Sequence, residues 1–254
     1  MKLESRLKIP IKNKVIGGCK TLICTPITPK TPSDFNLSLD DALTSNPDLI
    51  EWRADYFDTI QLPEYIYNTL SDNKDKLKDI PFIFTLRDEK ESGNCSYDHS
   101  SKLSLLNKVI HSNVVDIIDI EMIQGEEYIS QVSEMIKHTN IKLILSHHDF
   151  KTTPSSNDII KKIKTALELG ADIPKVAYTP TSSNDVLNLL YATLKCRDLF
   201  ETPLIAISMG DLGQISRIHA GQFGADITFA SANNTTAPGQ INIFDLKKIQ
   251  SYIE

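Results

Sequence analysis

The sequence has few cysteines and no long apolar run, and each shortage excludes a class of protein. Its four cysteines among 254 residues show no C-x-x-C spacing, which argues against a disulfide framework. No stretch of about 18 apolar residues occurs, so no membrane span is expected. Residues 1–8 mix charged and apolar side chains and do not resemble a secretory signal. We therefore expect a cytoplasmic protein with reduced thiols.

The sequence also lacks an excess of basic residues. Lys and Arg together number 27 against 33 Asp and Glu, which gives a net charge of −6 at pH 7. Binding to nucleic acid or to an anionic membrane needs a basic face, so neither partner is expected. With 41% apolar and 24% charged residues, the composition is that of an ordinary globular protein. At this length, residues 1–254 fit one large α/β domain.

The chain does contain a regular alternation of short apolar runs and helical patterns. A β-hairpin is predicted over residues 1–19. Eight candidate strands follow, at residues 21–25, 49–53, 82–87, 114–121, 141–146, 175–178, 204–208 and 226–229. Between them, apolar residues recur at helical spacing, as at Val186, Leu190 and Tyr191. This alternation predicts a (β/α)8 TIM barrel, and the alternative of an open doubly wound sheet lacks its G-x-G-x-x-G motif.

One lysine lies within a strand that reads as fully buried. Lys175 begins the sixth candidate strand, and lysine is rarely buried unless it is paired or used in chemistry. Desolvation disfavours the ammonium form, and a neutral amine is a nucleophile toward carbonyl groups. Lys175 is therefore a Schiff-base candidate. The alternative is a strand-edge lysine whose methylenes carry the ammonium to water.

Other polar side chains follow the carboxyl ends of the strands, where a barrel carries its active site. They are Glu51 with Arg53, Arg87 with Glu91, Asp119 with Glu121, His148, and Arg217. Each alone has a structural explanation, such as an ion pair or a helix cap. Together they favour a site in which a histidine moves protons beside an iminium and arginines bind an anionic substrate. The reaction predicted is elimination or carbon–carbon cleavage next to a ketone.

Metal and cofactor chemistry are not indicated. The adjacent His147 and His148 cannot easily face one ion from a strand end, and no H-x-H or H-E-x-x-H spacing occurs. Residues 210–213 lack the Walker pattern and fit a turn as readily as a phosphate cradle.

Six motifs, in register from the second strand to the eighth, resemble type I 3-dehydroquinate dehydratases. The motifs are Glu51-Trp52-Arg53-Ala54-Asp55, Phe84-Thr85-Leu86-Arg87 with Glu91, Ser146-His147-His148-Asp149-Phe150, Pro174-Lys175-Val176-Ala177, Ile207-Ser208-Met209-Gly210 with Ser216-Arg217, and Ala237-Pro238-Gly239-Gln240. The resemblance implies a cofactor-free, metal-free barrel lyase that converts 3-dehydroquinate to 3-dehydroshikimate. This is the third step of chorismate and aromatic amino acid biosynthesis, the shikimate pathway. The resemblance also implies a homodimer.

The resemblance assigns roles to individual residues. Lys175 would form an imine with the C3 ketone of the substrate. His148 would act as general base at C2 and general acid toward the C1 hydroxyl, giving syn elimination, and Glu91 would be a secondary contact. The implied substrate-binding residues are Arg217, Gln240 and Thr236 around the carboxylate, and Glu51, Arg53 and Arg87 around the ring hydroxyls.

Two positions depart from the family pattern. Thr236 stands where serine is usual, which keeps the hydroxyl and adds a methyl group. His147 stands where asparagine is common, and it is assigned a supporting role beside His148. Two alternatives to the dehydratase are a class I aldolase, which shares the strand-six lysine, and an inactive barrel that serves as a scaffold. The His148-Asp149-Phe150 motif argues against the first, and the joint presence of lysine, histidine and arginines argues against the second.

Overall fold

The computed structural model describes residues 1–58, 60, 62–232 and 237–253, and its centre is a parallel β-sheet. An antiparallel hairpin of β1 (Ile9–Ile11) and β2 (Lys14–Ile16) comes first. The parallel strands are β3 (Leu22–Ile27), β4 (Leu49–Arg53), β5 (Phe82–Thr85), β6 (Ile117–Glu121), β7 (Lys142–Asp149), β8 (Ile173–Tyr178), β9 (Ile205–Ser208), β10 (Ile227–Ser231) and β11 (Ile241–Asn242). They are ordered β11-β10-β3-β4-β5-β6-β7-β8-β9.

Helices alternate with the parallel strands and cover the outside of the sheet. They are α1 (Pro32–Thr44), α2 (Pro63–Asp72), α3 (Lys74–Leu77), α4 (His99–His111), α5 (Glu126–Ile136), α6 (Ser156–Glu168), α7 (Ser183–Leu199), α8 (Gln214–Ile218) and α9 (Ile243–Ile253). Among the residues described, no helix combines the length and apolarity that crossing a membrane would require.

The sheet curls so that β9 and β10 lie side by side. The backbone N–H of Asp226, just before β10, donates to the carbonyl of Leu204, just before β9, at 2.9 Å. Strands β3 to β10 thus follow one another around a closed barrel, each succeeded by a helix. This confirms the predicted (β/α)8 architecture, and all eight candidate strands are present.

The N-terminal hairpin packs against the amino ends of the barrel strands. Ile9, Ile11 and Ile16 belong to the same buried cluster as Ile117 and Ile144, whose side chains fill the barrel interior. The predicted hairpin is therefore confirmed, and it covers the end of the barrel opposite the strand carboxyl ends.

Several local expectations need correction. Strand β5 ends at Thr85 and not at residue 87, and β6 begins at Ile117 and not at residue 114. Strand β7 does not end at residue 146 but continues to Asp149, because His148 and Asp149 pair with Ala177 and Tyr178 of β8. In α7, Tyr191 was expected on the buried face with Val186 and Leu190, but it is 52% exposed. The buried face of α7 passes instead through small residues such as Ala192, which a pattern of large apolar side chains does not reveal.

Candidate active site

Lys175 lies in the middle of β8 and points into the barrel. Ile173 and Ala177, two residues before and after it, belong to the interior apolar cluster, so strand alternation places Lys175 on the same side. It is only 4% exposed, and its strand is paired on both sides. The amine is therefore not that of a strand-edge lysine that reaches water.

Two carboxylates and one aromatic ring surround the Lys175 amine. Its Nζ lies 2.7 Å from Oδ2 of Asp119 on β6 and 3.5 Å from Oε1 of Glu51 on β4. It also lies 4.7 Å from the ring centroid of Phe229, which is within the range of a cation–π contact. Glu51 is oriented by a 2.8 Å hydrogen bond from the Thr85 hydroxyl. The positive charge of a buried ammonium is thus compensated within the barrel.

Asp119 connects the lysine to Arg87. Its Oδ1 accepts a 2.6 Å hydrogen bond from the Ser146 hydroxyl and lies 3.1 Å from Nη2 of Arg87. Nη1 of Arg87 in turn contacts Glu121 at 3.0 Å. Burial raises the pKa of Asp119, but the charges of Arg87 and Lys175 outweigh it and hold that pKa well below its usual range. Asp119 is therefore a carboxylate at neutral pH.

His148 is held by Glu91, which lies after β5. Nδ1 of His148 is 2.7 Å from Oε2 of Glu91, and the same oxygen accepts the His148 backbone N–H at 3.1 Å. Burial raises the pKa of Glu91, but the nearby rings of His147 and His148 and the charge of Arg87 lower it to about 2. Because an ionised carboxylate only accepts hydrogen bonds, Nδ1 of His148 must carry the proton. Its Nε2 is then the basic nitrogen.

The ionisation of His148 follows from its surroundings. Burial, together with the charges of Arg87 and Lys175, lowers the pKa of His148 to about 3, although the hydrogen bond to Glu91 acts in the opposite direction. The ring is therefore neutral near pH 7, as a general base must be.

The loop that carries Glu91 is tied down by buried contacts. The Asp55 carboxylate accepts the backbone N–H of Arg87 at 3.3 Å and that of Asn94 at 3.1 Å. Between them, Gly93 lies so close to the backbone of Arg87 that an added Cβ would collide with the Arg87 carbonyl. The loop thus turns back on itself and places Glu91 inside the site, where it is 2% exposed.

Two further arginines, Arg53 and Arg217, line the cleft, and they differ in whether a carboxylate is paired with them. Arg53 is engaged in a two-pronged ion pair with Asp55, at 2.8 and 2.9 Å. Arg217 is 1% exposed, and among the described residues it donates only to the carbonyls of Phe229 and Pro238, at 3.4 and 3.1 Å. In the described part of the chain, Nε of Arg217 has no hydrogen-bond partner and no carboxylate pairs with the guanidinium. Burial lowers the pKa of Arg217 to about 10, so the guanidinium is still charged near pH 7.

Most of these side chains line one cleft at the carboxyl ends of the strands. The lining residues are Glu51, Arg53, Tyr56, Arg87, Glu91, Ser92, His148, Phe150, Lys175, Ala177, Ile207, Met209, Arg217, Phe229, Ala237 and Gln240. The structure brings together every site residue expected from the sequence except Thr236, which lies outside the described residues. The cleft has a charged floor and partly apolar walls, and it can hold a small anionic molecule against the lysine.

Sequence reasoning missed several members of this site. Asp119 was noted at a strand end but not assigned a role, although its alternation with Glu121 was a usable signal. Ser146 stood in a motif but was given no role, and Tyr56 and Phe229 carried no chemical pattern in the sequence. Only the barrel geometry brings these residues to the lysine and the cleft.

Comparison with known proteins places this site in a family. The family model for type I 3-dehydroquinase matches residues 23–254, which is nearly the whole chain. The chain belongs to the type I 3-dehydroquinase family. The resemblance inferred from the six motifs is thus confirmed, and with it the prediction that the chain is an enzyme of this family rather than a class I aldolase.

Individual relatives support the same family assignment. A 3-dehydroquinate dehydratase from Geobacillus sp. strain WCH70 is 37% identical over 247 residues, covering 97% of this chain and 95% of the relative. The crystal structure of 3-dehydroquinate dehydratase from Geobacillus kaustophilus HTA426 superposes with a TM-score of 0.96 at 34% identity, covering 100% and 98% of the two chains. The type I enzyme from Clostridium difficile, solved with covalently modified comenic acid, gives 0.93 at 33% identity, covering 97% of each chain.

Proposed function

We propose that this enzyme dehydrates 3-dehydroquinate to 3-dehydroshikimate by syn elimination through an imine on Lys175. The observation that carries the proposal is a buried lysine amine that shares one cleft with a neutral, Glu91-bound histidine. Family membership supports the substrate. The covalently modified ligand in the Clostridium difficile relative is consistent with covalent chemistry in the family.

Imine formation uses the groups around Lys175. The Lys175 ammonium first gives up one proton, and the neutral amine attacks the C3 carbonyl to form a carbinolamine. When that proton is delivered to the carbinolamine oxygen, the oxygen leaves as water and a protonated iminium remains. The iminium carries the same single positive charge as the ammonium it replaces. Asp119, at 2.7 Å from Nζ, and Glu51, at 3.5 Å, therefore compensate the charge in both states.

Elimination uses the Nε2 of His148. Lys175 pairs with Ser146 in the β7–β8 ladder, so His148 lies two residues further along β7 on the same side, roughly 7 Å toward the cleft mouth. The iminium acidifies the C2–H bond, and Nε2 takes that proton to give an enamine. The imidazolium, stabilised by Glu91, then donates the proton to the C1 hydroxyl, which leaves as water while the C1–C2 double bond forms. A single group acting at both carbons works from one face of the ring, which gives the syn course.

The remaining cleft residues orient the substrate. Arg217 has an unpaired Nε and no carboxylate partner within the described ranges, and we assign it the substrate carboxylate, with Gln240 beside it. Glu51, Arg53 and Arg87 are assigned to the ring hydroxyls. The hydroxyl of Thr236 is proposed to join the carboxylate contacts.

Turnover of 3-dehydroquinate tests the proposal, because the conjugated product absorbs in the ultraviolet and its formation can be followed directly. Wild-type protein should convert the substrate, and Lys175→Ala should lose at least about 10⁴-fold in kcat, as expected when a covalent nucleophile is removed. His148→Ala should lose turnover while still forming the imine. A folded wild-type protein that releases no 3-dehydroshikimate would contradict the proposal.

The setting of the reaction is also proposed from family membership. We assign the enzyme to the shikimate pathway in the cytoplasm, as a homodimer that needs neither metal nor cofactor. Sedimentation of the purified protein tests the homodimer, and undiminished turnover after dialysis against a chelator tests metal independence.

A further inference from the structure

Only one of the two oxygens of the Glu91 carboxylate accepts hydrogen bonds from the described residues. Its Oε2 accepts hydrogen bonds from Nδ1 and the backbone N–H of His148, at 2.7 and 3.1 Å. Its Oε1 is buried and has no hydrogen-bond partner among the residues that the structure describes. A buried carboxylate oxygen without a donor is destabilised, and a carboxylate held by one oxygen can rotate away from its partner.

A ring nitrogen of His147 lies close to that oxygen. Its Nδ1 lies 3.5 Å from Oε1, which is longer than a formed hydrogen bond but close enough to become one with a small movement. Strand alternation sends His147 and His148 to opposite faces of β7. Both still reach Glu91, because its carboxylate accepts the backbone N–H of His148 and therefore lies beside the strand, between the two side chains.

The ring of His147 is held in place from the other side. It packs edge-on against Tyr178, with ring centroids 5.8 Å apart and an interplanar angle of 64°. The His147 side chain is 27% exposed, against 10% for His148, so it is the more accessible of the two histidines. Its other titratable neighbours are Asp149 on the same strand and, through Glu91, Arg87.

We propose that His147 is a positioning residue that donates its Nδ1–H to Oε1 of Glu91 and so holds the carboxylate between two histidines. With Oε1 anchored, Oε2 remains on Nδ1 of His148 and keeps Nε2 directed at the substrate. Hydrogen bonds of this kind are often long in the free enzyme and shorten when substrate binds. The inference rests on the proposed dehydratase function, because it concerns the base of that reaction.

A double-mutant cycle tests the inference. His147→Phe keeps a ring against Tyr178 but removes the donor, and His147→Asn restores a donor on a short side chain. We expect kcat for 3-dehydroquinate to fall about 10-fold in His147→Phe, with KM changed less than about twofold, and to recover largely in His147→Asn. When Glu91→Ala is already present, His147→Phe should change kcat less than about twofold, because the group it acts through is gone.

Several outcomes would overturn the inference. A His147→Phe variant with wild-type kcat would do so, and so would an equal loss of kcat with and without Glu91. If His147→Phe does not fold, His147→Ala takes its place in the same cycle. Failure of the proposed function is distinct, because it would appear as a wild-type protein that does not turn over 3-dehydroquinate at all.

Discussion

Nζ of Lys175 lies 2.7 Å from Oδ2 of Asp119, and both groups are buried in the centre of the barrel. The other oxygen of Asp119 contacts Arg87 and Ser146. The Asp119 carboxylate therefore connects Lys175, the proposed nucleophile, to Arg87. Removing it would leave two buried cations with weaker compensation.

The first prediction concerns the stability that Asp119 provides. Asp119→Asn should lower the free energy of unfolding by about 3 kcal/mol, because breaking a buried ion pair leaves an uncompensated charge. Urea denaturation at neutral pH measures the change. Asp40→Asn is the control, since its ion pair with Lys76 is exposed on both sides and should change the stability by less than about 1 kcal/mol. If both substitutions lowered the free energy of unfolding equally, the buried ion pair would contribute no more to stability than the exposed one.

The second prediction concerns pH and His148. The pKa of His148 in the folded protein is about 3, below its ordinary value of 6.5, so the unfolded chain binds a proton that the folded chain excludes. The resulting stability is fully present above pH 6.5 and is lost as the pH falls toward 3. At pH 5, this loss should be about 2 kcal/mol relative to pH 8, and it should be missing in His148→Asn. Urea denaturation at each pH gives the free energy of unfolding of the wild type and of His148→Asn. If this free energy depended on pH equally in both proteins, His148 would not be buried and neutral.

The third prediction separates binding from chemistry at Arg217. Arg217→Lys keeps a positive charge but loses the planar fork that suits a carboxylate, so KM for 3-dehydroquinate should rise about 100-fold with kcat changed much less. Steady-state kinetics give both values. Arg6→Lys, an exposed pair with Glu201, should leave KM unchanged. An unaltered KM in Arg217→Lys would place the substrate carboxylate elsewhere.

The fourth prediction concerns the loop that carries Glu91. Gly93→Ala should reduce kcat at least about 10-fold, because the new Cβ collides with the carbonyl of Arg87 and displaces the loop. Gly170→Ala is a matched control: its φ of +94° strains alanine, but nothing lies within 4 Å of the added Cβ and Gly170 does not line the cleft. The control should lower the melting temperature without lowering kcat. Loss of kcat in both variants would mean that general destabilisation, and not loop position, is responsible.

Much of the fold could be predicted from the sequence because the barrel strands are buried on both faces and therefore appear as short, continuous apolar runs. Lys175 was conspicuous for the same reason, as a charge inside such a run. Helix faces were less certain, since the buried side of α7 contains small residues and Tyr191 lies outside it.

The site was predictable as a set of residues but not as a set of contacts. Strand order places Glu51, Arg87 and His148 at one rim, and strand parity decides which side chains enter the barrel. The alternation of side chains along a strand does not show that Glu91 enters the cleft, because Glu91 lies in a loop. The tight turn at Gly93 places it there. It also cannot show that Asp119 pairs with a lysine two strands away, because that depends on the curvature of the closed sheet.

The central claim is that Lys175 forms an imine with the substrate, and reductive trapping tests it most directly. The protein is incubated with 3-dehydroquinate, reduced with borohydride, digested, and mapped by mass spectrometry. The account predicts one adduct, on the peptide that bears Lys175, which is absent from Lys175→Ala and retained in His148→Ala. An active wild-type protein that gives no adduct, or an adduct that survives in Lys175→Ala, would contradict the covalent mechanism.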